Sequence, residues 1–167
     1  LALKSAEQEA EVAKHEVNVA KTQIDQTKAI LSKANFDRNS LTGQQAQRDL
    51  TTYQAQLDAA QAHLNAAKAA ADLASARKKQ AEAERELAQA RLQMDEGLAL
   101  KISGDPASKN VNADSLRAQV DDRLKQVEQA KADVAKAQKQ ADQERAAWQI
   151  ATQRHNDVRG VGGSSGR

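Results

Sequence analysis

The sequence predicts an all-α protein: an elongated antiparallel three-helix coiled coil running up, down and up, with a long non-helical loop between the second and third helices. Three observations lead there. Apolar residues recur at 3,4 spacing through three long stretches, and the stripes change phase at two places where turn residues cluster. One proline in 167 residues and 2% aromatics leave little from which to build a broad globular core. The expected helices cover about 2–39, 43–95 and 112–158, with 160–167 as a flexible Gly/Ser tail.

Helix one rests on the stripe Leu3, Ala6, Ala10, Ala13, Val17, Ala20, Ile24, Thr27, Leu31, Ala34, in which only Thr27 is polar. Continued mechanically it would reach Arg38 and Leu41, and it fails there. Asn39 and Ser40 end the helix, Gly43 eases the turn, and Thr42 with Gln45 has the form of a capping box. A single continuous helix is the rival reading, because one glycine costs only about 1 kcal/mol. The change of phase favours the turn.

Helix two takes up the stripe at Ala46, Leu50, Tyr53, Leu57, Ala60, Leu64, Ala67, Ala71. It drifts to Leu73, Ala76, Gln80, Ala83, Leu87, Ala90, Met94, as a straight helix slips against a heptad. From Asp95 to Asn112 the pattern stops. Gly97, Gly104 and Pro106 act as breakers, Asp105-Pro106 marks a turn, and Leu98, Leu100, Ile102 alternate as a short extended piece would. Such a loop is either an idle connector or a binding tip; exposed apolar residues on a mobile loop favour the tip.

Helix three has Asn112 or Asp114 available as N-cap and keeps register through Ala113, Leu116, Val120, Arg123, Val127, Ala130, Val134, Ala137, Ala141, Glu144, Trp148, Ala151, His155, Val158. At about 1.5 Å per residue the three helices would be roughly 55, 75 and 70 Å long. Seams built mostly from alanine bury little apolar area per residue, so length and repetition carry the stability. Charged seam residues (Arg38, Lys78, Arg85, Arg123, Glu144) are read as long side chains covering the seam with their methylenes while the charge reaches water. Matching heights on antiparallel helices predicts Tyr53 and Trp148 within roughly 10 Å of each other. Phe36 would join them in an aromatic plug near the first turn.

Charge and composition narrow the function classes. The 25 basic and 23 acidic residues alternate along the helices, and no aromatics interleave with the basic ones, which argues against nucleic-acid binding. There is no cysteine, hence no disulfide or thiolate metal site. No apolar run approaches the roughly 20 residues of a membrane span, so this segment is not expected to insert by itself. His15, His63 and His155 lie on three different helices without a ligand at i+3 or i+4 and read as solvated helix histidines. The carboxylates have lysine or arginine neighbours, as surface pairs do, and no phosphate loop is evident. The expectation is a non-enzyme with no cofactor and no metal. The opening Leu1 and the closing run Gly160 to Arg167 suggest one segment of a larger protein.

The stretch LTGQQAQRDLTTYQAQLDAAQAHLNAAKAA, from Leu41 to Ala70, resembles the helical region of the pore-forming colicins and related bacteriocins. SGDPASKN followed by LRAQVDDRLKQVEQAKADVAKAQ is similar to their pattern of a distal Asp-Pro loop and a return helix. The resemblance implies the receptor-binding or translocation region of a secreted bacterial toxin from a Gram-negative organism. Such a region engages an outer-membrane protein of the target cell or its translocation machinery. By position it implies a receptor-facing tip at Leu98, Leu100, Lys101, Ile102, Asp105, Pro106 and Lys109. A two-helix receptor hairpin would not need helix one, which departs from that pattern.

Two transport scaffolds are similar as well. One is the helical hairpin of a periplasmic adaptor, which touches an outer-membrane channel through a Leu and an Arg near its tip; Arg38 and Leu41 would take that part. Stretches able to form flanking lipoyl-like strands are missing from this chain. The other is the three-helix coiled coil of a type III secretion translocator.

Overall fold

A computed structural model describes residues 2–37, 39–104, 106, 109 and 111–163. Its helices are α1 (Ala2–Phe36), α2 (Ser40–Ser103) and α3 (Ala113–Gly163), and no strand occurs among the described residues. The all-helical class read from the 3,4 periodicity therefore holds. The chain divides into two compact units, one comprising Leu1–Ala71 with Lys139–Arg167 and the other Asp72–Gln138.

In the first unit the stripe read from the sequence of α1 is the face it buries. Ala6, Ala13, Val17, Ala20, Ile24, Thr27 and Ala34 are all buried, and on α2 they are joined by Ala46, Ala60, Ala67 and Ala69. Thr27 belongs in that seam because its hydroxyl donates to the Gln23 carbonyl at 2.8 Å, which removes the cost of burying it. The stripe positions of α3 in this unit, from Ala141 to Val158, are only half-buried. Small side chains dominate: among the described residues no large side chain is completely enclosed. Close helix approach and many weak contacts hold the unit together.

The first turn is tight. Asp37 N–H donates to the Lys33 carbonyl and Asn39 N–H to the Ala34 carbonyl, both at 2.9 Å, closing α1. Asn39 then caps α2, its Oδ1 accepting from Thr42 N–H at 3.2 Å. This corrects the expected capping box. Thr42 already lies inside the helix, and Gln45 donates to Asp49 at 2.8 Å. Gly43 sits in the first turn of α2, where an added Cβ would find only ordinary contacts.

In the second unit Leu73, Leu87, Ala90 and Val127 are buried. Arg77 donates to Gln138 at 2.8 Å, Arg123 pairs with Glu86 at 2.6 Å, and Gly97 meets Leu116 and Val111. Arg123 thus reaches across to another helix instead of only covering the seam. The pair stays 42% and 50% exposed, so it is worth about 0–1 kcal/mol.

The expected break from Asp95 to Asn112 is corrected here: α2 continues through Gly97 to Ser103. A mid-helix glycine costs about 1 kcal/mol against alanine, too little to end a helix that gains from packing. At Gly97 the missing side chain is what lets Leu116 and Val111 approach, since a Cβ there would fall 2.8 and 3.0 Å from them. α2 stops instead at Gly104, whose φ of 69° is the left-handed conformation favoured just past a helix end. Asn112 caps α3 as the sequence suggested, accepting from Asp114 and Ser115 N–H at 3.1 Å each. α3 itself runs through Gly163, into the stretch read as a linker.

Candidate functional site

The residues expected at a distal tip do not form one apolar loop. Leu98, Leu100, Lys101 and Ile102 are helical. At 100° per residue Leu98 and Ile102 share a face while Leu100 points elsewhere, so an alternation that would align in a strand is scattered. Leu98 and Leu100 are half-buried, and Leu100 lines a groove with Gly97, Val111 and Leu116. Ile102 alone among the three is open, at 88% exposure. Lys101, Pro106 and Lys109 are exposed; Asp105 lies outside the described residues.

A second candidate lies at the turn between α1 and α2, which the sequence reading had filled with an aromatic plug. Phe36 is 88% exposed and Leu41 77%, so the plug is absent. Two large apolar side chains flank a turn that is fixed by backbone hydrogen bonds and the Asn39 cap. Arg38 lies outside the described residues. Beside this turn Gln23, Ile30, Gln45, Ala46, Asp49 and Tyr53 line a groove of about 220 Å³. Gln23 Oε1 is enclosed in it without a hydrogen-bond partner.

Trp148 stacks on His63 instead, with ring centroids 4.3 Å apart and planes 11° from parallel. His63 is not the solvated histidine expected. Its side chain is 15% exposed, Nδ1 lies 2.9 Å from Glu16 Oε2, and Nε2 lies 3.6 Å from Glu9 Oε1. A carboxylate only accepts, so Nδ1 donates to Glu16. One imidazole therefore joins α1 through two glutamates and α3 through the indole. In the sequence His63 only flanks the stripe, beside its member Leu64, and the partners it meets on other helices are not legible there.

Among the described residues no cluster of three or more His, Asp or Glu is arranged to hold a metal ion, and no helix is long and apolar enough to cross a membrane. A groove of about 660 Å³ in the second unit is lined by glutamines with Glu86, Asp122 and Arg123. Within it Glu86 and Arg123 form the partly exposed pair already described, and Asp122 pairs with Lys125 at 3.3 Å.

Comparison with known proteins adds no relative. No family model, curated protein or solved structure matches this chain. The side chains themselves therefore carry the functional argument. Their most distinctive feature is the pair of bare apolar residues at the α1–α2 turn.

Proposed function

We propose that this chain is a non-catalytic docking segment, the helical hairpin of a secretion or efflux component. It would meet an outer-membrane channel of a Gram-negative bacterium through the α1–α2 turn, as periplasmic adaptors do. The observation that carries this is the exposure of Phe36 and Leu41 on a turn rigid enough to present them. Within each unit the helices pack as an antiparallel coiled coil. Supporting this, partners in the second unit pair 77 with 138, 86 with 123 and 97 with 116, rising on one helix as they fall on the other. In the first unit His63 pairs back to Glu16 and Glu9.

The colicin-like reading, a secreted toxin segment binding an outer-membrane receptor, is kept for one reason. Ile102, Lys101, Pro106 and Lys109 are exposed around the end of α2. Its weaker point is that Leu98 and Leu100 are partly used inside the fold.

One experiment separates the two. Detergent-solubilised outer-membrane proteins are passed over the immobilised chain, its Phe36→Ser/Leu41→Ser variant and its Ile102→Ser variant, and retained proteins are identified. The adaptor reading expects an oligomeric export channel, lost with the first variant and kept with the second. Retention of a receptor sensitive only to Ile102→Ser would replace it with the toxin reading, and retention indifferent to both variants would end both.

A further inference from the structure

Both ring nitrogens of His63 face carboxylates of α1, Nδ1 at 2.9 Å from Glu16 Oε2 and Nε2 at 3.6 Å from Glu9 Oε1. Glu9 and Glu16 stand seven residues apart, on one side of the helix, so they straddle the ring. The side chain is 15% exposed, and the Trp148 indole covers its face with centroids 4.3 Å apart. Thus α1 and α3 meet at a titratable side chain of α2.

A neutral imidazole has one N–H and one bare lone pair. With Nδ1 donating to Glu16, the neutral ring would aim the Nε2 lone pair at the Glu9 carboxylate, which also only accepts. The imidazolium donates at both nitrogens and suits both partners. Its charge also suits the indole, since a cation within about 6 Å of the ring centre is attracted to the face. Other charges on the packed elements are few. On α1 Glu11 and Lys14 lie between the two glutamates but pair with each other at 3.6 Å, and His15 is exposed. On α2 no charged residue stands within one turn of His63; on α3 half-buried Glu144, a further anion, and exposed Arg145 stand within one turn of Trp148.

We propose that His63 is a proton-operated clamp on α1: charged, it holds the first half of that helix through Glu9 and Glu16; neutral, it drops the Glu9 pair and lets that half open. The charged ring makes one more pair with α1 than the neutral ring does. Its contribution is therefore full on the acid side and is lost as pH rises through the range, about 5 to 8, in which histidine changes charge. The clamp uses no residue of the α1–α2 turn, so it stands apart from the docking function above.

Amide protection factors of the full chain at pH about 5.5 and about 8 test this, with α3 amides of the second unit as the internal reference. Between Ala6 and Ala20 protection should fall about fivefold as pH rises, the loss expected of a partly exposed ion pair together with a cation on an indole face. His63→Gln and Glu9→Gln/Glu16→Gln should each abolish the fall. The glutamates are 55 and 48% exposed, so the second variant keeps the fold even where the first does not. Trp148 is the sole tryptophan, and a stacked imidazolium quenches indole emission, so emission should rise with pH in the unaltered chain and stay level in His63→Gln. Protection that is indifferent to pH, that rises with it, or that falls equally in the variants overturns the clamp. So does an emission profile that His63→Gln leaves unchanged.

Discussion

Gly97 provides the sharpest test of how the second unit is built. A methyl group added there would sit 2.8 Å from Leu116 Cδ1 and 3.0 Å from Val111 Cγ1, inside the 3.5–4.0 Å at which carbon atoms attract. Two terms oppose each other. Alanine gains about 1 kcal/mol of helix propensity over glycine, while overpacking costs about 1–3 kcal/mol. Leu116 can give way by turning its side chain; Val111, branched at Cβ, is held more stiffly. Gly97→Ala should therefore destabilise this unit by about 0–2 kcal/mol, and Gly97→Leu by more. With Leu116→Ala and Val111→Ala already in place the clash is gone, and Gly97→Ala should then stabilise by about 1 kcal/mol. Amide hydrogen exchange along α2 and α3 within 72–138 measures the local opening free energy for all four corners of the cycle. Additivity to within about 0.3–0.5 kcal/mol would mean that Gly97 touches neither residue, and the account of α2 given above would be wrong.

Further outcomes are expected at other sites. Asn39→Ala and Asn112→Ala should each cost about 1 kcal/mol in urea unfolding followed by circular dichroism, because each leaves helix N–H groups without their acceptor; equal stability would show the caps to be idle. His63→Ala and Trp148→Leu should show a coupling of about 0.5–1.5 kcal/mol in a double-mutant cycle, the worth of a stacked ring pair, whereas independent effects would disprove the stack. Gln23→Met should stabilise the first unit by about 1 kcal/mol, since it removes an enclosed acceptor that has no partner; a loss of stability would show that Oε1 is satisfied in solution.

The three stripes name the faces the helices turn inward, and this much was legible because helical periodicity is a local property of the chain. Every position read into the α3 stripe, from Ala113 to Val158, is buried or half-buried. The turn after Phe36 and the Asn112 cap were legible for the same reason: both depend on residues within one turn of each other.

What failed were the inferences that needed to know what stands opposite. Glycine in a helix is a breaker or a contact point according to whether another side chain fills the space beside it, and for Gly97 that side chain belongs to Leu116. Trp148 finds His63 and leaves Phe36 bare because pairing register is a property of two helices together, and a shift of a few residues redirects every long side chain. The sequence by itself thus determined the helical class, the apolar faces of the helices and the Asn112 cap. Only the tertiary structure decided which residues those faces meet, and so which apolar side chains remain at the surface, since that balance is struck between segments far apart in the chain.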